Sequence, residues 1–353
     1  MRKGKRLIAW IMAVVMLFTI CVFGGNGTAE AAATTPVAKH GRLSVKGADL
    51  VDSKGNKFQL RGISTHGINW DVGSPYVNKK AFKTLRDDWG VNAIRLAMYT
   101  EEYNGYCSGG SQAKLRKLVD KGVGYATDLG MYAIIDWHIL SDGNPNKNKA
   151  QAKKFFTTMA KKYKNNKNVI YEICNEPNGC GWKEIKSYAT DIIKTIRKYD
   201  KKAVIIVGTP TWSQLGTDGT SNEVADSPIK GYKNIMYSLH FYTSEWAHNE
   251  YLPAKVAYAR KKKLPIIVSE FGLSPASGDG AINKASADKW MKLLNKYNIS
   301  YFCWSLSNKN ESASLLKPST KKTSGWKSGD LSTAGKYIKK KYLARKKALG
   351  KKA

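Results

Sequence analysis

With 353 residues, 42% of them hydrophobic and 24% charged, the chain could hold one large domain or two smaller ones, each with a sizeable core. A formal net charge of +32 raises nucleic acid as a partner, but no zinc-finger, RNP or helix-turn-helix pattern occurs, so none is expected. Neither CxxC nor HExxH is present, and the expectation is no metal and no other cofactor.

In chain order, Arg2, Lys3, Lys5 and Arg6 precede an apolar run from Leu7 to Phe23, and Ala29, Ala31 and Ala33 follow with A-x-A-like spacing. Residues 1–33 therefore read as a secretory signal peptide, with 34–40 as a short mature N-terminal segment. The expected product is a secreted, extracellular monomer with no stable membrane insertion. Cys21 falls in the leader. The remaining Cys107, Cys174, Cys180 and Cys303 allow three disulfide pairings, and the sequence does not choose among them.

Between Gly41 and Gln59, two short strand-like runs around Ser53-Lys-Gly-Asn56 predict a β-hairpin, placed as a plug on the lower mouth of the domain that follows. Eight β-rich runs come next, at 60–64, 93–98, 133–138, 169–175, 203–208, 235–240, 265–270 and 300–304. Helical periodicity separates them, as in Ile185, Tyr188, Ile192, Ile196 and Tyr199. Eight alternating units predict an α/β fold closed into a (β/α)8 TIM barrel over residues 41–335. The alternative, a doubly wound open sheet, lacks its glycine-rich turn: Gly122-Val-Gly124 has no third glycine and sits in helical periodicity. Residues 336–353, rich in lysine and free of acids, read as a solvated basic tail with weak attraction for an anionic cell surface.

In such a barrel, chemistry gathers where the strands finish. Arg95, Asp136-Trp137-His138, Asn175-Glu176, His240-Phe241-Tyr242, Glu270 and Trp304 fall there. Glu176 and Glu270 stand at the ends of the fourth and seventh strands, and a facing carboxylate pair suits glycosidic hydrolysis. Each alone could equally be a structural ion pair.

Several segments then carry a specific resemblance, in order, from about Gly41 to about Leu331. They include Ile173-Cys-Asn-Glu-Pro177, Ser238-Leu-His-Phe-Tyr242, Val268-Ser-Glu-Phe-Gly272 and Cys303-Trp-Ser-Leu-Ser307. Gly62-Ile-Ser-Thr-His-Gly-Ile-Asn-Trp70, Asn92-Ala-Ile-Arg-Leu-Ala-Met98 and Gly208-Thr-Pro-Thr-Trp-Ser213 extend it. Together they resemble the motifs of glycoside hydrolase family five, in its bacterial endoglucanase branch.

The resemblance implies a retaining enzyme acting on a β-glucan, with Glu176 as acid/base and Glu270 as nucleophile. It implies that Arg95 orients the nucleophile, that Asn175 meets the sugar 2-OH, that Tyr242 donates to Glu270, and that His240 tunes the pair. His138 and Trp304 would contact the sugar at the cleavage site. His66, Trp70, Trp212, Lys309 and Glu311 would bind sugars further away. Phe271 departs from the Trp that many relatives carry after the nucleophile. A mannanase or xyloglucanase of the same fold, and a noncatalytic cell-surface glycan-binding protein, are the competing expectations.

Overall fold

The computed structural model describes residues 35–350. The signal-peptide reading of residues 1–33 lies outside them.

The segment below the barrel comes first. α1 (Pro36–His40) is capped by Thr35. β1 (Ser44–Lys46) and β2 (Asp49–Val51) pair antiparallel. Their turn lies at Gly47-Ala48, with Gly47 at φ 60°, and not at Ser53–Asn56 as the sequence suggested. The later turn exists, held by Asp52 Oδ1 accepting from the N–H groups of Lys54 and Asn56, but it closes on one isolated bridge, Val51–Lys57. Two turn signals lie close together, each with a left-handed glycine (Gly55 at φ 83°), and the two-residue Gly47-Ala48 loop is the one that closes a paired ladder. The plug itself is as expected: Leu43, Leu50 and Phe58 share one apolar cluster with Tyr132, Ile134, Met236 and Phe302 of the barrel interior.

Eight parallel strands close the barrel: β3 (Arg61–Thr65), β4 (Ala93–Tyr99), β5 (Tyr132–His138), β6 (Val169–Glu172), β7 (Ile205–Val207), β8 (Ile235–Tyr242), β9 (Ile266–Gly272) and β10 (Tyr301–Leu306). β10 pairs with β3, so the sheet has no free edge. Each of the eight predicted runs is one of these strands. The outer layer is α2 (Lys79–Trp89), α3 (Gln112–Asp128), α4 (Lys149–Tyr163), α5 (Trp182–Arg197), the single turns α6 (Pro210–Ser213) and α7 (Glu223–Asp226), α8 (Trp246–Lys261), α9 (Lys284–Lys296) and α10 (Thr333–Leu349). In α5 the predicted stripe of Ile185, Tyr188, Ile192 and Ile196 is buried, while its last member, Tyr199, lies beyond the helix end and is half-buried. Each of the stripe's isoleucines contributes about 2 kcal/mol by leaving water. The four described cysteines are unpaired.

The supposed basic tail is a barrel helix. In α10, Ala334, Ile338 and Tyr342 recur every four residues and are buried, while the lysines between them face outward. Those lysines hid the stripe. Ser332 caps the helix by accepting from the Gly335 N–H at 3.0 Å, and the Tyr342 hydroxyl donates to the Gly62 carbonyl at 2.8 Å. The domain therefore runs past 335 to at least Leu349.

If α10 were an appendage, Tyr342→Ala would be silent. Burial of the ring under a strand predicts a loss of about 3–5 kcal/mol in urea-induced unfolding. A loss under about 0.5 kcal/mol would return the helix to the role of a tail.

Candidate active site

Successive residues of a strand alternate faces, so every second side chain climbs the barrel interior. On β8 the sequence Met236, Ser238, His240, Tyr242 passes from apolar floor to polar middle to cleft. On β5 it is Tyr132, Ile134, Asp136, His138. Strand β9 breaks this rule. Ser238 and His240 of β8 pair with Ile267 and Glu270, and Tyr301 and Cys303 of β10 pair with Val268 and Phe271. Both neighbours thus count one extra residue in β9. That bulge brings Ser269 and Glu270, consecutive in sequence, into the same polar network.

Arg95 is the hub of that network and has no solvent exposure. Its Nε donates to Glu172 Oε2 at 2.7 Å, Nη1 to Glu270 Oε2 at 2.9 Å and Nη2 to Asn175 Oδ1 at 2.6 Å; Asp136 Oδ2 lies 3.0 Å from Nη2. Burial pulls the guanidinium pKa down, but the carboxylates of Asp136, Glu172 and Glu270 outweigh it and the net shift is upward. Asp136 itself is pushed up to about 7 by burial, with Arg95 opposing. One cation shared among several buried carboxylates cannot compensate them all.

A hydrogen-bonded chain runs from Glu176 down to Glu172. Glu176 Oε1 meets His240 Nδ1 at 2.9 Å, and His240 Nε2 meets Ser269 Oγ at 2.8 Å. Ser269 Oγ lies 2.7 Å from Ser238 Oγ, which donates to Glu172 Oε1 at 3.2 Å. Ser238 has one proton and gives it to Glu172, so Ser269 donates to Ser238. His240 Nε2–H then donates to Ser269, and Nδ1 is left as an acceptor for a proton on Glu176. The electrostatics agree. Burial pushes Glu176 up to about 8, opposed by Arg95 and reinforced by Asp136 and Glu172, and burial pulls His240 down to about 4. Glu270 differs: Oε1 accepts from the Tyr242 hydroxyl at 2.8 Å and Oε2 from Arg95.

Above this floor lies a cleft of about 530 Å³. Glu176, Glu270, His240, Tyr242, His138 and Trp304 line it, as do His66, Trp70, Trp212, Lys309 and Glu311. Arg95 and Asn175 do not; they sit beneath. Asn175, expected to meet a sugar hydroxyl, has both amide protons engaged, with His138 Nε2 at 3.2 Å and the Ile139 carbonyl at 3.1 Å. His138 Nδ1 donates to Asp136 Oδ2 at 2.6 Å, and the His138 ring stacks with Trp304 at 5.2 Å and 20°. Glu311 joins the cleft wall through Lys309 at 2.5 Å and His66 Nε2 at 3.7 Å. Phe271 faces the helix layer, stacked on Phe241, so its departure from Trp falls outside the cleft.

Trp212 is 46% exposed on a strained turn, in which Thr211, Trp212 and Ser213 all adopt left-handed φ of 57°, 53° and 62°. Several hydrogen bonds hold it. The Trp212 N–H donates to the Pro177 carbonyl at 3.0 Å, the Ser213 hydroxyl donates to the Asn175 carbonyl at 2.7 Å, and the Thr209 N–H donates to Ser213 Oγ at 3.2 Å. The turn after β7 that carries the indole is thereby tied to the loop after β6 that carries Glu176.

Sequence reading missed Glu172, Ser238 and Ser269 as network members, and Tyr99, Glu102, Gln214 and His248 as cleft wall. Extending strand β4 by one residue gives Ala93, Arg95, Ala97, Tyr99 on one face, a signal that would have found Tyr99. Glu172 carried its own signal, a lone acid in an apolar strand. Among the described residues, Glu176, His240 and Glu270 form a group whose ligand atoms lie within 4.8 Å of one another, spacing that could hold a cation. Both Glu270 oxygens are already engaged, one of them by a guanidinium, which disfavours a cation there.

The geometry has counterparts. A sequence model described as "Cellulase (glycosyl hydrolase family 5)" matches residues 51–310. An endoglucanase of Clostridium saccharobutylicum is 47% identical over 95% of this chain and 72% of its own length. Endoglucanase 5 of Pectobacterium carotovorum is 44% identical over 92% of this chain, which spans only 62% of that protein. Among solved structures, the cellulase Cel5C_n superposes with a TM-score of 0.82 at 39% identity, covering 88% and 94% of the two chains. The catalytic domain of Thermobifida fusca endoglucanase Cel5A, in complex with cellotetraose, gives 0.81 at 36%, covering 88% and 99%.

The hydrogen-bond chain makes Glu176 a neutral acid near pH 6. Difference infrared spectroscopy of wild type against Glu176→Gln should show a carboxylic C=O band that disappears on raising the pH through about 8. A midpoint near the ordinary value of 4.5 would contradict the proton order derived above.

Proposed function

The chain belongs to glycosyl hydrolase family 5, and on that premise we propose that it is a secreted endo-β-1,4-glucanase working by retaining double displacement. The observation that carries the mechanism is the spacing of the two carboxylates: an oxygen of Glu176 and an oxygen of Glu270 lie within 4.8 Å. Retaining pairs stand about 5–5.5 Å apart, whereas inverting pairs need about 6.5–9.5 Å to admit a water between them. Export is supported by the leader pattern of residues 1–33.

Glu270, fixed by Arg95 and Tyr242, attacks the anomeric carbon. Glu176 gives its proton to the departing glycosidic oxygen, so that the C–O bond breaks as the glycosyl–Glu270 ester forms. While the leaving oxygen is neutral, Glu176 keeps its proton and donates it in a hydrogen bond to His240 Nδ1. As charge develops on that oxygen, it becomes the stronger acceptor and draws the proton away. Glu176, now ionised, takes a proton from the water that cleaves the ester, which restores both groups. Trp304 and His138 offer a flat surface under the reacting sugar, and the strained Trp212 offers another on the side of Glu176. The endoglucanase names of the relatives support a β-1,4-glucan as substrate.

Glu270→Ala should lower turnover of carboxymethyl cellulose by about 10³-fold or more while glucan binding persists. Glu176→Gln should cost about 10²–10⁴-fold on glucan, yet far less in glycosylation by an aryl cellobioside with an acidic phenol leaving group. Equal losses on both substrates would remove Glu176 from the acid role. For wild type, kcat on glucan should fall as pH rises through about 8, because the proton that is required is held only below that value. A panel of carboxymethyl cellulose, barley β-glucan and mannan decides the substrate: fastest release of reducing ends from mannan would overturn the glucanase reading. Activity should survive a chelator, and tenfold loss in EDTA that a divalent ion restores would overturn the metal-free mechanism.

A further inference from the structure

Apart from the lysine-rich residues 336–353, a large part of the surplus of positive charge gathers in one place. Four consecutive connections, residues 161–168, 194–203, 228–234 and 260–265, enter β6, β7, β8 and β9 at their N-terminal ends, opposite the cleft. They contain fifteen Lys and Arg against one acid, Asp200, which is itself buried. Among the described residues, Lys162 and Lys262 are the exposed lysines here that reach a carboxylate, on Asp120 and Asp226. The two arginines are occupied. Arg197 donates to the carbonyls of Asp200, Ala203 and Lys233, and Arg260 to Ala48 O and Asp49. What remains free is a field of ammonium groups on flexible stems.

The connections form one continuous surface. The Asn234 side chain donates to the Lys202 carbonyl at 2.9 Å and accepts from the Val45 N–H at 2.9 Å. A groove of about 650 Å³ runs between the first two connections, with Lys164, Lys167, Lys201 and Lys202 along it. Ser53, Asn165 and Tyr199 supply hydroxyl and amide groups in the same groove. Arg42 also lines it, 3.8 Å from Asp200, and its Nη1 makes no hydrogen bond among the described residues. A second groove of about 340 Å³, bordered by Lys233, Lys262 and Lys263, continues on the far side of Asn234.

We propose that this face is a docking surface for a linear acidic polysaccharide, distinct from the cleft that takes the glucan. Lysines without a preformed guanidinium fork suit repeated charges along a chain better than one fixed phosphate. The hydroxyl and amide groups that line the larger groove beside its lysines suit hydroxyl-bearing units between those charges. The large exposed hydrophobic residues (Tyr103, Trp212, Trp246, Tyr251 and Leu343) all lie elsewhere, so the face has no anchor for a lipid bilayer and no fully exposed ring for nucleobases. A neutral glucan gains nothing from such a field. The enzyme would thus be held to acidic material by its base while its cleft stays open to a neighbouring chain. The inference stands on the charge distribution and does not depend on the endoglucanase reading.

The test uses the full protein and fluorescently labelled polygalacturonate, a linear polycarboxylate. Wild type should bind it at 20 mM salt and lose about tenfold or more in affinity at 200 mM, because screening weakens exposed charges. The variant Lys164→Gln/Lys167→Gln/Lys201→Gln/Lys202→Gln should lose at least about tenfold at low salt with unchanged kcat on soluble glucan. A control with equal charge removed from α2 and α3, Lys80→Gln/Lys114→Gln/Lys117→Gln/Lys121→Gln, should lose less than about threefold. Equal losses in both variants would reduce the effect to net charge and overturn the site. Salt-independent or undetectable binding would overturn it as well. Tighter binding of phosphatidylglycerol vesicles or of duplex DNA at equal charge concentration would overturn the choice of partner.

Discussion

Arg95 lies without solvent contact against the carboxylates of Asp136, Glu172 and Glu270, and most of the site follows from how those acids share it. Its planar donors point three ways at fixed angles: to Glu172, to Glu270 and to Asn175. A lysine at the same position could satisfy the charge but not the geometry. Removing the cation would strand several buried carboxylates, a loss usually worth about 3–5 kcal/mol. The two glutamates over the cleft acquire unlike environments from this arrangement. Glu270 touches the guanidinium directly, whereas Glu176 reaches Glu172 only through His240 and two serines, and it is burial that decides its protonation. Two identical side chains thereby become an acceptor held in place and an acid that keeps its proton.

The barrel converts that requirement into a stack of layers. Plug residues and apolar side chains fill the bottom, the Arg95 network occupies the middle, and aromatic rings with the two glutamates form the top. Alternation along β4, β5 and β8 provides the vertical order. The bulge in β9 departs from it and lets Ser269 serve His240 while Glu270 serves the cleft, and β10 counts an extra residue against β3 between Cys303 and Leu306. The left-handed turn at Trp212 is a further local departure, and its bonds run to the carbonyls of Asn175 and Pro177, on either side of Glu176. Departures from regular backbone thus accompany both glutamates.

Much of this was legible in the residues. Eight strand runs, the helical stripe of α5 and the motif glutamates could be read directly, because short-range periodicity records which face of an element is buried. The hairpin turn was misplaced because two turn signals compete within ten residues, and only the fold shows which one closes the ladder. Helix α10 was read as a tail because charge masked a four-residue apolar repeat. The serines were invisible for a different reason: a small polar residue in a strand has no pattern of its own, and even Glu172, conspicuous as a lone acid in an apolar strand, takes its meaning from partners far away in sequence. The same applies to the basic connections, whose lysines look scattered along the chain and meet only when the barrel closes.

The central claim, that Arg95 and burial make Glu270 a nucleophile and Glu176 an acid/base, is tested most directly by product stereochemistry. Proton NMR recorded during the first minutes of cellopentaose or cellohexaose hydrolysis reports the anomeric configuration of the new reducing end before mutarotation. Attack by Glu270 followed by water from the same face predicts the β anomer first, with the α anomer growing in later. Immediate formation of the α anomer would show a single displacement by water and would contradict the account.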